Sequence, residues 1–349
     1  MEQKYKRIIS GEDAGLTAAL LRPLLWAAAW FYGLVVWLRN RCYDRGVCKI
    51  ERLSVPVISI GNITVGGTGK TPTVIMVARA LVRLGRRPVI LTRGYKARCS
   101  ESSDEVMVLN IECPDVPVVV NPDRVAGGQT AIESHQADVL ILDDGFQHRR
   151  LARDLDIVLV DATSPMGIPG MIPRGTQREP PASLARAHQI MLTRCEQVSL
   201  ELADMAAGLL AQWVNPRHIF QQRTRVAGIF DAQGTAVTLP KSGATVVAFA
   251  GIGNPEAFVN TLTGIGLNVA AGCWFDDHHQ YDAARDVKVL TELVQKHAAD
   301  ACVTTLKDWV KIRKFSFPVP IWHVKIEAYI DGVGSELWSH ALADLLKDK

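Results

Sequence analysis

The stretch from Val55 to Pro72 reads VPVISIGNITVGGTGKTP. Its first six residues are an apolar, β-branched run of strand length. The glycine-rich segment from Gly61 to Gly69 cannot continue a strand, and Lys70 opens an apolar-periodic helix that runs to Leu84 and is closed by Gly85. Strand, glycine-rich turn and helix in that order form a phosphate-binding loop. Its backbone N–H groups and the helix N-terminus cradle phosphate oxygens, Lys70 reaches the terminal phosphates, and the Thr71 hydroxyl ligates magnesium. The nucleotide cradle is accordingly assigned to Thr64, Val65, Gly66, Gly67, Thr68, Gly69, Lys70 and Thr71. Thr64 stands where the strict motif has a first glycine. A glycine turn that merely links a strand to a helix would not need lysine and hydroxyl at these two positions.

Working outward, Val139–Leu142 is a second apolar strand, followed at once by Asp143, Asp144 and Gly145. Carboxylates at such a strand end border the phosphates in nucleoside triphosphatases. One would hold Mg²⁺ and the other act in catalysis. Asp143 with Thr71 is assigned to the metal and Asp144 to catalysis, although the sequence alone leaves the order within the pair open. Short β-branched runs at Val55–Ile60, Val89–Thr92, Val116–Val120, Val139–Leu142, Ile157–Val160 and Ile190–Thr193 alternate with helical stretches. This predicts an α/β fold with a doubly wound, mostly parallel sheet. The Pro- and Gly-rich segment 162–181 reads ATSPMGIPGMIPRGTQREPP and has the composition of a functional loop. RVAGIFDAQGTAVTL, 225–239, alternates about a turn as a β-hairpin does. A second, smaller βα series follows. The predicted division is an N-terminal apolar and basic helix at 1–48, a P-loop domain at 49–224, a hairpin linker at 225–240 and a smaller α/β domain at 241–349.

The chain has 349 residues, more than one hydrophobic core usually serves, with 48% hydrophobic and 21% charged residues and a net charge of +3. That charge, spread over scattered Lys and Arg, predicts no nucleic-acid partner, and nothing in the sequence calls for an obligate protein partner. Seven cysteines without metal or disulfide spacing fit a reducing compartment. Between Leu24 and Leu38 runs LLWAAAWFYGLVVWL, uncharged, with Trp26, Trp30 and Trp37 on one stripe and Arg22, Arg39, Arg41 and Arg45 flanking it. Fifteen residues make a helix of about 22 Å, short of a bilayer core, so a helix lying in the interface is expected; a buried core helix and a true span are the alternatives.

GNITVGGTGKTP at 61–72, TRGY at 92–95, Ser103-Asp104-Glu105, DDGFQHRRLARDLDIVLVD at 143–161, FAGIGNP at 249–255 and FDDHHQY at 275–281 together resemble the tetraacyldisaccharide 4'-kinase family of lipid A biosynthesis. The resemblance extends from the apolar helix to beyond Lys307. It implies transfer of the γ-phosphate of ATP, with Mg²⁺, to the 4'-hydroxyl of a tetraacyldisaccharide 1-phosphate, giving lipid IVA. An acylated lipid partner and a peripheral position on the cytoplasmic face of the inner membrane follow from the same resemblance. It also implies an Asp–His dyad as the base, which by motif position is Asp104 with His278; His279 is the competing neighbour. Arg93, Arg124, Arg174 and Arg178 suit the phosphate oxygens of ATP and lipid. The chain departs from the family pattern at Lys96-Ala97, at MIPRGTQREP and at Leu306, which bears on local contacts and acyl preference. A membrane-associated P-loop switch ATPase and a nucleotide-gated binding module are the rival readings; both leave DDGFQHRR and DDHHQ unexplained.

Overall fold

The computed structural model describes residues 2–13, 15–94, 103–239, 243–276 and 279–347. In chain order the elements are α1 (Glu2–Ser10), α2 (Leu16–Asp44), β1 (Val57–Asn62), α3 (Lys70–Arg83), β2 (Pro88–Thr92), α4 (Asp104–Glu112), β3 (Val118–Val120), α5 (Arg124–His135), β4 (Val139–Asp143), β5 (Leu155–Asp161) and β6 (Gln189–Thr193). They continue with α6 (Leu200–Leu210), β7 (Ile219–Phe230), β8 (Ala244–Ala250), α7 (Pro255–Gly264), β9 (Leu267–Trp274), α8 (Arg285–His297), β10 (Ala301–Thr305), α9 (Leu306–Ile312), β11 (Ile321–Ile330) and α10 (Gly332–Lys347). Every strand expected for the parallel series is present, most with ends shifted by one to a few residues, whereas the second arm of the hairpin expected over 225–239 is reduced to one isolated bridge at Ala236.

The chain forms two compact units, and neither is a continuous stretch. The first holds 1–101, 112–223 and 328–349, the second 102–111 and 224–327. The unit boundary therefore falls inside β7 and inside β11. Residue 104 belongs to the second unit, and α10 to the first, whereas the sequence division runs the kinase domain unbroken to 224 and the smaller domain to the C-terminus.

In the first unit the strand order is β3-β2-β4-β1-β5-β6, and these pairings are all parallel. β1, β2, β4 and β6 are buried at every position, which is why they read as unbroken apolar runs instead of alternating ones. Ile60 pairs with Asp143, so the glycine-rich turn after β1 and the acidic pair after β4 emerge side by side at the C-terminal edge. Two glycines permit this approach. A Cβ on Gly61 would lie 2.7 Å from the backbone nitrogen of Phe146, and one on Gly145 would lie 2.6 Å from Ser59 Oγ.

α2 differs from expectation in length. It runs for 29 residues with Pro23 inside, about 43 Å of helix, and is long and apolar enough to cross a membrane by length and composition. The uncharged tract is only its middle, so length does not separate an interfacial helix from a span. Trp26, Trp30 and Trp37 are each more than half exposed, as are Leu20, Leu24, Phe31 and Leu38. Not all the flanking arginines are free for headgroups. Arg22 donates from Nε to the Ile8 carbonyl at 3.1 Å and from Nη2 to that of Asp13, tying α1 to α2.

The second unit carries strands in the order β11-β10-β8-β9, paired in parallel. The expected turn is present: the Asp231 N–H donates to the Thr235 carbonyl at 2.9 Å and Val237 to Ile229 at 2.8 Å, with a single antiparallel bridge from Phe230 to Ala236. His323 lies buried in this unit, stacked at 4.2 Å on Trp309 and at 5.8 Å on Phe230. Burial first, then Lys325, pull its pKa down to about 4. The unfolded chain takes up this proton near the ordinary value of ~6.5 and the folded chain only near 4, so folded stability is full above that range and falls as pH drops between them. His148 in the first unit is depressed to about 4 as well, chiefly by burial. Urea midpoints measured at pH 7.5 and pH 5 should fall for the parent chain and fall less for His323→Phe. An equal fall in both would assign the effect elsewhere.

Candidate active site

The loop between β1 and α3 turns on Gly66 (φ 113°) and Gly69 (φ 83°), both in backbone regions closed to most side chains. Gly69 caps α3, and Lys70 and Thr71 are its first two residues. Several side chains brace the turn from behind. Asn62 donates to the Thr68 hydroxyl at 2.9 Å, Thr193 donates to the Thr68 carbonyl at 3.0 Å, and Arg194 donates to the Gly67 carbonyl while pairing with Asp161. Thr64 bridges to Gln177, and the Val65 N–H is spent on the Thr176 carbonyl at 2.7 Å. Segment 162–181 thus lies along the loop as a second wall.

Opposite stands the acidic pair. Asp144 (φ 51°) accepts from Arg178 Nη1 with both oxygens, at 3.0 and 2.9 Å, and lies 3.6 Å from Lys70 Nζ. Burial works to raise its pKa, but Lys70 and Arg178 together outweigh that and hold it below the ordinary carboxylate value. Asp143 ends β4 with 8% of its surface exposed. Arg124, buried at the start of α5, donates to the carbonyls of Asn121 at 2.7 Å and Asp143 at 3.4 Å. Its burial, in the field of Asp143, Arg93 and Asp144, brings its pKa down to about 10. Arg93 is exposed just past β2. The structure thus brings Lys70, Asp144, Arg124 and Arg178 to one sheet edge. It draws Arg174 away: that guanidinium donates to the Ile9 carbonyl of α1 at 2.9 Å.

Beside Arg178, the fully buried Glu179 is a hub that the sequence did not announce. It accepts from Arg186 at 2.9 Å, from Asn40 of α2 at 2.8 Å and from Gln147 at 3.2 Å, with Arg39 at 3.5 Å. Tyr32 of α2 donates to the Arg178 carbonyl at 3.2 Å. Removing the Glu179 carboxylate strands guanidinium groups that are half-buried or deeper, so Glu179→Ala should lower the unfolding free energy by about 3 kcal/mol. Urea denaturation measures it; a loss under about 1 kcal/mol would mean that water replaces the carboxylate.

In the second unit, Asp104 is the first residue of α4, whose Val106 N–H donates to Ser103 Oγ at 3.3 Å. The Asp104 carboxylate lies 3.0 Å from Lys311 Nζ. His278 lies outside the described residues. Its neighbour His279 bonds Asp286 through Nε2 at 2.9 Å, stacks on Phe275 at 4.4 Å and meets Tyr281 edge-on at 4.8 Å. Burial of Asp286 raises its pKa, but Arg285, the Asp282 N–H and His279 pull it down to about 2. Tyr281 is pushed well up, by burial first and then by Asp308. Among the residues missed by sequence reasoning, Arg194 and Lys311 carried no local signal; Asp161 stood at a strand end that the sequence leaves unassigned, and Glu179 and Gln147 lay inside motifs beside more conspicuous neighbours.

The comparisons with known proteins agree on one family. The family model described as tetraacyldisaccharide-1-P 4'-kinase matches residues 21–347. A tetraacyldisaccharide 4'-kinase of Syntrophus aciditrophicus is 36% identical, covering 91% of this chain and 91% of that protein. One from Geobacter sulfurreducens is 37% identical, over 88% and 89%. A crystal structure of LpxK from Aquifex aeolicus in complex with ATP superposes with a TM-score of 0.74 at 27% identity, covering 93% of this chain and 99% of that one.

Proposed function

The chain belongs to the tetraacyldisaccharide-1-P 4'-kinase family, and from that premise we propose how its own residues transfer the γ-phosphate of ATP to the 4'-hydroxyl of a tetraacyldisaccharide 1-phosphate in lipid A biosynthesis. The observation that carries the reading is the convergence of Lys70 and Arg178 on Asp144 beside the glycine-rich turn. Two cations held on one carboxylate are prepositioned for triphosphate oxygens, so little reorganisation is required when charge develops in the transition state. Gly66 to Thr71 offer the backbone cradle; Thr64 and Val65 instead fasten it to segment 162–181. Arg93 and Arg124 complete the basic lining, and the tie from Arg174 to α1 favours a supporting part over direct contact with substrate.

Thr71, Asp143 and Asp144 are a set of oxygen donors that fits Mg²⁺, which keeps waters and phosphate oxygens in its shell and needs only one or two protein ligands. When bound, the ion neutralises phosphate charge. Asp143 with Thr71 is proposed to hold it, because Asp143 ends β4 in register with Ile60, where the glycine-rich turn begins. The 4'-hydroxyl proton is proposed to pass to His278, with Asp104 orienting and stabilising the imidazole. The engagement of His279 with Asp286 supports His278 in that part.

An acylated lipid does not leave a bilayer readily, because each buried CH₂ contributes about 0.8 kcal/mol. The exposed Leu and Trp surface of α2 suits a chain that meets its substrate at the membrane, and we place it on the cytoplasmic face as a peripheral protein. Transfer of label from γ-³²P-ATP to tetraacyldisaccharide 1-phosphate in mixed micelles tests the activity. ATP hydrolysis that is indifferent to the lipid, with no labelled lipid, would hand the chain to the switch-ATPase reading.

A further inference from the structure

Lys311 sits on α9 with its side chain only 7% exposed. A buried ammonium is tolerated only when paired and hydrogen-bonded. Its three N–H donors face three acceptors from three separate segments: Asp104 of α4 at 3.0 Å, Asp308 of α9 at 3.4 Å and the carbonyl of His279 at 3.4 Å. One carboxylate would suffice to balance the charge, and Asp308 already does so. Asp308 is itself fully buried and fixed, accepting at Oδ2 from the Gly251 N–H at 3.1 Å and from the Thr305 hydroxyl at 2.8 Å. The second carboxylate, Asp104, reaches the same ammonium from a separate helix and at the shorter distance. The third acceptor, the His279 carbonyl, belongs to the segment that carries FDDHHQY.

We propose that Lys311 is a positioning residue for phosphate transfer: anchored by Asp308, its ammonium fixes the Asp104 carboxylate and the histidine loop relative to one another. The proposal rests on the reading of Asp104 and His278 as the base. In this role Lys311 acts through Asp104. Three point contacts in three directions suit an ammonium; the planar fork of arginine reproduces the charge without the geometry.

The test is a double-mutant cycle on the full chain in lipid micelles, with Lys311→Met, Lys311→Arg, Asp104→Asn and the Lys311→Met/Asp104→Asn pair. Lys311→Met should lower kcat about 10²-fold while KM for ATP changes less than about twofold, since the glycine-rich loop lies in the other unit. In the Asp104→Asn background the same substitution should cost less than about threefold, because the group it positions is already gone. Lys311→Arg should recover part of the rate, and it replaces Lys311→Met in the cycle should the latter not fold. Losses that multiply across the cycle, or a Lys311→Met rate equal to that of the parent, overturn the proposal. A parental rate for Asp104→Asn would instead remove Asp104 from the base, and Lys311's part with it.

Discussion

Lys70→Met should transfer phosphate about 10³-fold more slowly than the parent chain, with a smaller effect on KM for ATP. The reasoning begins at the backbone. Gly69, in a left-handed conformation, places Lys70 at the first position of α3, so its side chain starts where the helix N-terminus and the loop amides already face the phosphates. The ammonium then rests 3.6 Å from Asp144, with 18% of its side chain exposed, held within reach of a triphosphate. Methionine keeps the stem and removes the charge, so the substitution isolates the electrostatic contribution. Because charge grows on the transferring group between ground and transition state, the loss should fall mainly on kcat. Steady-state labelling at saturating lipid measures this. A loss under about tenfold would show that Arg178 and the loop amides suffice without Lys70.

Asp144→Asn is the second large effect, expected to reduce kcat about 10²- to 10³-fold. Asparagine tolerates the positive φ found at this position, so the backbone turn into Gly145 survives and the change is one of charge. Lys70 and Arg178 then face each other's field with no carboxylate between them. The pH dependence sharpens the prediction. Asp144 has its pKa lowered in the folded chain, so it stays ionised throughout the neutral range and protonates only below the ordinary carboxylate value. The ratio of parent to Asp144→Asn rates should therefore be flat between pH 5 and 8. A ratio that climbs with pH across that interval would mean that Asp144 itself titrates there and passes a proton during turnover.

Chemistry confined to one turn was legible in the sequence. GGTGKT and DDG are readable because glycine, lysine, hydroxyl and carboxylate at fixed offsets leave few other backbone solutions, and an all-buried parallel strand advertises itself as an unbroken apolar run. The parallel sheet and its two series of strands followed from the same signals. What escaped were pairings set by tertiary proximity. Nothing near Lys311 hints at Asp104, nothing near Arg194 hints at the Gly67 carbonyl, and nothing in the Pro- and Gly-rich loop signals that Asn40, Arg39 and Arg186 close around Glu179. The arginines of the N-terminal tract misled in the same way. Arg22 and Arg39 have the spacing of headgroup contacts, yet both reach inward, to Ile8 and to Glu179. The length of α2 was missed because charge was read as an end signal, whereas long basic side chains bend back along a helix without interrupting it.

The interleaving of the two units sets an order of events during synthesis. The first unit takes up residues 328–349, and Trp338, Leu342 and Leu346 of α10 are buried in it. Arg86 donates to the Leu346 carbonyl, and Arg223 pairs with Asp331 at 3.2 Å. A ribosome that has released the whole glycine-rich loop has still not delivered the segment that completes the unit around it. Segment 102–111 must likewise wait for 224–327 before it has a home. Vectorial, one-domain-then-the-next folding is thus closed to this chain. The nascent N-terminal half, with its exposed Trp-rich helix, stays incomplete until residues 328–349 have been made.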